Sequence, residues 1–269
     1  MSYFEPARRQ AFGVDLSRYN VSADLGHYPD FDEMASHKPR LSFIGLRSGQ
    51  SWHDPDPAFA VLLREAMRIG LCVIPYHVIY PAEPALKQMD LMLSLLEGVD
   101  LDGVRLALDL ELDHAQSKAV ITNTVACCLE LLRSETGRYP MLYSNASFVN
   151  QFLNVKDLPE LDWWLAQYYF AREYPAYTSE YPSPPLMPRG VRHWLIHQTT
   201  NRGPAIGGVG KYMDYNRWNG DHDAVLRYFG REKDIEIAIC PLDGLSCNCR
   251  PAGLLAEFEA QRDQALLEA

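Results

Sequence analysis

Arg105-Leu106-Ala107-Leu108-Asp109-Leu110-Glu111-Leu112 is the stretch on which the reading of this chain turns. Its even positions are all leucine, and its odd positions are Arg105, Ala107, Asp109 and Glu111. This period-2 alternation is the mark of a β-strand whose two faces meet different surroundings. One face is wholly apolar and predicts burial. The other carries two carboxylates aimed the same way, into an interior or a cleft. Carboxylates placed there are costly without partners or work, and a pair on one strand face is what glycoside hydrolysis uses. A structural reading competes: Asp109 and Glu111 could form an ion-pair network with Arg105 on the same face.

Outward from this strand, strand and helix signals alternate, which is the pattern of βα units. Phe12–Ser17, Leu41–Leu46, Leu71–His77, Met141–Ser144, Trp163–Tyr168 and Trp194–Gln198 read as further strands. Pro75 inside the third suggests an edge or a distortion. Asp56-Pro57 offers a cap and a first-turn proline for a helix through Ala58–Ile69 that Gly70 closes. Pro84–Glu97 and Ser117–Glu135 are helical, stopped by Gly98 and Gly137. Glu173–Gly190 reads as a long Tyr- and Pro-rich loop, and Arg202–Gly210, with four glycines, as a loop or hairpin. Leu254–Leu267 reads as a polar helix with a thin apolar stripe.

The 269 residues, 47% hydrophobic and 22% charged, suit one barrel-sized domain or two small ones. A net charge of −10 argues against a nucleic-acid backbone as partner. No run of about 18 apolar residues is present to span a membrane. Met1–Gln10 lacks an apolar core, so no classical signal peptide is expected. Synthesis is then expected in the cytoplasm, with release by a holin, by lysis or by dedicated export. Of six cysteines, Cys127 and Cys128 are adjacent in a helical pattern. Cys240, Cys247 and Cys249 lack the paired C-x2-C spacing of a strong zinc site, so no metal is expected.

In a barrel of parallel strands, catalytic groups gather at the strands' C-terminal ends. Asp15 ends the first strand, His77 the third, and Asp109 and Glu111 the fourth; Asp214 lies near the last. Each has a plainer reading. Asp15 could cap a helix, His77 could be a satisfied interior histidine, and Asp214 with Asn216 could form a turn. Tyr76, Tyr143, Trp164, Tyr168 and Trp194 could pack in the core or stack on pyranose faces.

Seven short motifs in order resemble glycoside hydrolase family 25, the muramidases that cut bacterial peptidoglycan. They are Gly13-Val14-Asp15-Leu16-Ser17 with Tyr19; Asp54-Pro55 and the helix to Gly70-Leu71; Pro75-Tyr76-His77; Asp109-Leu110-Glu111; Pro140-Met141-Leu142-Tyr143-Ser144; Trp164-Leu165-Ala166-Gln167-Tyr168; and Trp194 with Gln198, then Gly207-Gly208 and Asp214. The chain departs from the family's pattern at subsite positions. Arg47-Ser48-Gly49-Gln50 stands where a Lys and a Thr-Glu-Gly run are usual, Val78 where Phe is, and Asn20-Val21 where Gln-Gly is. Trp163-Trp164 and the Tyr/Pro loop suggest a divergent, phage- or prophage-type member.

The resemblance implies an α/β fold, an irregular TIM-like (β/α) barrel over residues 11–230. An N-terminal arm (1–10) would precede it and an accessory C-terminal extension (231–269) would follow. It implies Glu111 as general acid, Asp109 as charged stabiliser, and Asp15 and Asp214 as the rest of an acidic floor. Tyr76, His77, Tyr143, Trp164, Tyr168, Trp194 and Gln198 would contact substrate. The implied substrate is the β-1,4 bond between N-acetylmuramic acid and N-acetylglucosamine in peptidoglycan glycan strands, with no cofactor, nucleic acid or membrane involved. The rival is a non-catalytic peptidoglycan-binding or phage structural barrel.

Overall fold

The structure, a computed structural model, describes residues 10–168 and 184–234. In chain order its elements are β1 (Phe12–Leu16), α1 (Phe31–Ser36), β2 (Leu41–Gln50), β3 (Asp54–Pro55), α2 (Phe59–Arg68), β4 (Cys72–Val78), α3 (Ala85–Ser94), β5 (Ala107–Asp109), α4 (Lys118–Thr136), β6 (Met141–Ser144), α5 (Ala146–Phe152), β7 (Trp163–Ala166), β8 (Ile196–Pro204), β9 (Tyr212–Trp218) and α6 (His222–Tyr228). The strands hydrogen-bond in the order β1-β9-β8-β7-β6-β5-β4-β2-β3, and β1 also pairs with β2. That last pairing closes eight strands into a barrel and leaves the short β3 folded back on the end of β2. Closure removes the open edges that a sheet would otherwise present.

All barrel pairings are parallel except those of β9, which runs antiparallel to both β8 and β1. Parallel neighbours need a long crossover, whereas antiparallel ones can be joined by a hairpin. The glycine-rich stretch supplies that hairpin. Gly207, Gly208 and Gly210 all take positive φ between β8 and β9. This strand is the irregularity of the expected irregular (β/α) barrel, and Arg202–Gly210 is the hairpin.

The decisive strand is shorter than its alternation suggests. Regular pairing covers Ala107–Asp109 rather than Arg105–Leu112. The period-2 burial nevertheless holds further: Leu106, Leu108 and Leu110 are buried with Ile121, Val125, Cys128, Leu129 and Leu132 of α4 in the main apolar cluster. Leu112 departs from it, being 36% exposed at the cleft. Arg105 lies at the strand's other end. Its guanidinium donates to the carbonyls of Tyr228, Asp102 and Val104, which excludes the ion-pair network with Asp109 and Glu111.

Pro75 sits in an interior strand, not an edge. Val73 O accepts from Arg105 N on the β5 side, so strand alternation turns the Pro75 nitrogen to that side too. The β4–β5 ladder becomes regular only from Tyr76↔Ala107, so the missing donor interrupts little. Asp56 does not cap α2 in the expected way. Ala58 is the N-cap, and Asp56 Oδ1 accepts from Ala58 N while Oδ2 accepts from Arg18 N and Arg47 Nε.

By its internal contacts the chain divides into two units, residues 1–230 and 231–269. Of the second, only 231–234 are described, a short turn with an Arg231–Asp234 ion pair at 2.7 Å. The expected Leu254–Leu267 helix and Cys240, Cys247 and Cys249 lie outside the described residues, as do residues 1–9 of the expected N-terminal arm and 173–183 of the long loop. Among the described residues, no helix is long and apolar enough to cross a membrane.

Candidate active site

Where the parallel strands end, a cleft of about 470 Å³ opens into the barrel mouth. β1 brings Asp15 to it, β4 Tyr76, β6 Tyr143, β7 Trp164 and β8 Gln198. Asp109 is the last residue of β5, and Glu111 follows two residues on, so both acids reach the same opening. Because β9 runs the other way, Asp214 near its beginning reaches the same rim. Asp15 and Asp214 are direct cross-strand partners.

Two of the expected contacts are elsewhere. His77 is wholly buried; its Nε2 lies 2.6 Å from Ser51 O and its Nδ1 3.2 Å from Ser48 Oγ. Successive strand residues point to opposite faces, so Tyr76 and His77 cannot both enter the cleft. Trp194 precedes β8 and packs in the apolar cluster. It lies before the strand that carries Gln198 to the cleft, and it is not among the residues lining the cleft.

A hydrogen-bond network joins the cleft's wall to its floor. The Tyr143 and Tyr168 hydroxyls both donate to Gln198 Oε1, at 2.8 and 2.7 Å. Gln198 Nε2 donates to Asp15 Oδ2 at 2.8 Å, and Asn216 Nδ2 donates to the same oxygen at 2.7 Å. The Trp164 indole donates to Asn216 Oδ1 at 2.8 Å. An indole N–H can only donate, so it sets which way the Asn216 amide points. Trp164 thereby fixes a donor on Asp15, as well as forming the cleft's base with its ring edge-on to Tyr76 and Tyr143.

The four carboxyl groups share one poorly hydrated space. Burial raises the Asp15 carboxyl, while its bonds from Asn216, Gln198 and Asp214 pull the other way. Burial and the neighbouring Asp15 push the Asp214 carboxyl up to about 9, so the Asp15–Asp214 pair holds on to a proton well above the usual carboxylate range. Burial lifts Asp109 well above the usual carboxylate range, reinforced by repulsion from Glu111 and Asp15 and opposed by Arg47. Asp109 Oδ1 is buried with no hydrogen-bond partner. Glu111 is an exposed residue, but its carboxyl reaches into the cleft and loses enough water to be raised too, with Asp15 contributing. Coupled groups of this kind titrate as a set rather than one by one.

The ordered motifs have a counterpart in a known family over β1 to β8. Residues 14–208 match the sequence signature described as Glycosyl hydrolases family 25. The chain belongs to family 25 of the glycosyl hydrolases. This family 25 chain is also similar to the Escherichia coli O157:H7 protein YegX, with 26% identity over 223 residues, 83% of this chain and 75% of YegX. Its fold is similar to that of a bacterial lysozyme from Streptomyces coelicolor (TM-score 0.66, 18% identity, 83% of this chain and 98% of that one). The Clostridium perfringens spore cortex lytic enzyme SleM is similar as well (TM-score 0.63, 24% identity, 82% of this chain and 70% of that one).

The family 25 site also uses residues that alternation around Asp109 does not single out. Asn216 is one, buried behind Asp15 and Trp164; its signal is the alternation Asp214-Tyr215-Asn216, which places it on the same face as Asp214. Arg47, Tyr19, Gln50 and Tyr212 line one end of the cleft. Among the described residues, no group of three or more His, Cys, Asp or Glu side chains is placed to hold a metal ion. Cys127 is exposed and Cys128 buried, both as free thiols, and burial pushes the Cys128 thiol up to about 12.

Proposed function

We propose that this family 25 hydrolase cleaves the β-1,4 bond between N-acetylmuramic acid and N-acetylglucosamine in peptidoglycan, with Glu111 as general acid and Asp109 as charged stabiliser. The observation that carries the reading is the placement of Asp109 and Glu111 together at a cleft floored by the Asp15–Asp214 pair. A glycosidic oxygen is a poor leaving group and needs a proton from a carboxylic acid kept neutral near working pH. Crowding and burial retain protons among these carboxyls. Glu111, the more open of the pair, is the one that can reach the bond.

Asp109 is set deeper. Its unpartnered Oδ1 suits an acceptor for the acetamido N–H of the substrate, which would steady the positive charge developing at the sugar. Tyr76, Tyr143 and Tyr168 offer flat apolar faces with polar edges, suited to pyranose rings. The names of its structural relatives, a lysozyme and a cortex lytic enzyme, agree with a cell-wall substrate.

Purified cell walls incubated with the protein should clear and yield new reducing ends. Loss of the proton donor in Glu111→Gln should lower turnover about 10²–10⁴-fold while leaving the fold intact by circular dichroism. Binding to walls without clearing by the unaltered protein would instead establish a non-catalytic binding barrel.

A further inference from the structure

Among the described residues lining the cleft, Arg47 is the one cation. Its side chain is only 9% exposed. Nε donates to Asp56 Oδ2 at 2.8 Å, and the guanidinium carbon lies 4.9 Å from the centre of the Tyr19 ring. These two contacts hold the guanidinium plane but leave its forked end unused. Nη2 is buried with no hydrogen-bond partner. Asp56 also accepts from the backbone of Arg18 and Ala58, so its charge is shared among three donors. A buried guanidinium nitrogen left without an acceptor is costly in the free protein, and the planar guanidinium that carries it suits a carboxylate in two-point contact.

The same cleft holds a second unmatched atom of opposite demand, Asp109 Oδ1. Arg47 pairs with Tyr76, and Tyr76 with Ala107, so Arg47 and Asp109 stand two strands apart on the barrel's inner face. Two strand spacings and two residues of rise separate them by about 12 Å, a distance the long arginine side chain shortens. A ligand satisfying both must offer an N–H and a carboxylate close together. A neutral N-acetylglucosamine unit offers only the first. A sugar bearing an acetamido group and, on the next carbon, an ether-linked carboxylate offers both.

We infer that Arg47 forms an anion subsite of the glycan cleft, taking a carboxylate carried by an N-acetylated sugar of the substrate. The inference rests on the glycan reading of the cleft. The carboxylate has two possible sources: the lactyl group of a peptide-free muramyl unit, or the stem peptide of a substituted one.

Calorimetric binding to the Glu111→Gln chain tests it without turnover. The probes are four tetrasaccharides: chitotetraose, the peptide-free muramyl form, its lactyl methyl ester, and the stem-peptide form. A carboxylate-bearing probe should bind about ten- to hundredfold tighter than the ester and chitotetraose, as expected for a charge-assisted two-point contact. Adding Arg47→Gln should abolish that preference, and Arg47→Lys, which keeps charge but not the fork, should retain part of it. Preference for the peptide-free acid assigns the lactyl source, and preference for the stem-peptide form alone assigns the peptide; either supports the subsite. Equal binding of all four, or a preference unchanged by both Arg47 variants, overturns it. Should Arg47→Gln fail to fold, the acid-against-ester comparison and Arg47→Lys still decide. If the unaltered chain cleaves none of these probes while the Arg47-dependent preference holds, the catalytic reading falls and the subsite stands.

Discussion

Asp15 is the residue through which the cleft's polar groups are connected. One of its oxygens takes donors from both Gln198 and Asn216, and it stands directly opposite Asp214, whose carboxyl is raised, across the β1–β9 ladder. Its negative charge also raises Glu111. Replacing it by asparagine keeps an acceptor for the amides but removes that charge. The alkaline limb of the pH–rate profile for wall lysis should therefore move to lower pH in Asp15→Asn, because Glu111 loses its proton more easily. An unmoved or raised limb would count against Glu111 as the proton donor. Much of this site was legible residue by residue. Asp15, Asp109, Glu111, Asp214, Tyr76, Tyr143, Trp164, Tyr168 and Gln198 all reach the cleft. His77 and Trp194 were misplaced because a motif names neighbours in sequence, while a strand sends adjacent residues to opposite faces and leaves a residue before its start out of the cleft.

At the scale of elements, β2 must pass close to β1 and to the ring of Trp164. A Cβ on Gly45 would meet Trp164 Cη2 at 2.5 Å and Asp15 Cβ at 2.8 Å. Gly45→Ala should therefore cost about 1–3 kcal/mol in chemical denaturation, as overpacked cores do. It should also lower activity by displacing the indole that orients Asn216. Normal stability with normal turnover would show that the Trp164–Asn216–Asp15 chain tolerates displacement. Helix α4 is capped by Ser117, whose hydroxyl accepts from Val120 N at 3.3 Å. Ser117→Ala should cost about 0.5–2 kcal/mol of stability without altering the pH dependence of catalysis. Helix ends of this kind were readable from local chemistry: Gly137 takes the left-handed conformation at the α4 C-cap, as its position predicts. The length of β5 was not readable, because regular pairing depends on where β4 and β6 stop.

For the whole molecule, buried ionisable groups set the pH dependence of stability. Asp214 holds its proton up to about 9, against 3.8 for a free carboxyl. Between those limits the unfolded chain has lost a proton that the folded chain keeps, so stability falls as pH rises. Asp15, Asp109 and Glu111 are raised as well and act in the same direction. His77 and His197 run the other way. Burial lowers both from 6.5 to about 4, so they remove stability as pH falls through that interval. Above pH 6.5 the acids act unopposed by these histidines. Denaturation midpoints should then decline from about pH 6.5 to 9, by up to roughly 1.4 kcal/mol per pH unit for each retained proton. Asp214→Asn, which mimics the protonated donor, should flatten the decline. A rising or level curve in the unaltered protein would refute the shared-proton account of the cleft.

Alternation, helix caps and glycine placement are local properties, so the sequence by itself determined that strands and helices alternate, that Asp109 and Glu111 point one way, and that Leu106, Leu108 and Leu110 point the other. Barrel closure through β1 and β2, the antiparallel course of β9 and the pairing of Asp15 with Asp214 were decided only by the tertiary structure. These features depend on contacts between residues as far apart as 15 and 214, and no local period records which distant strand will become a neighbour. The same holds for the Asp109–Glu111 stretch. Its direction is written in the chain, but its raised proton affinity comes from burial and from the neighbouring acids that the closed barrel gathers around it.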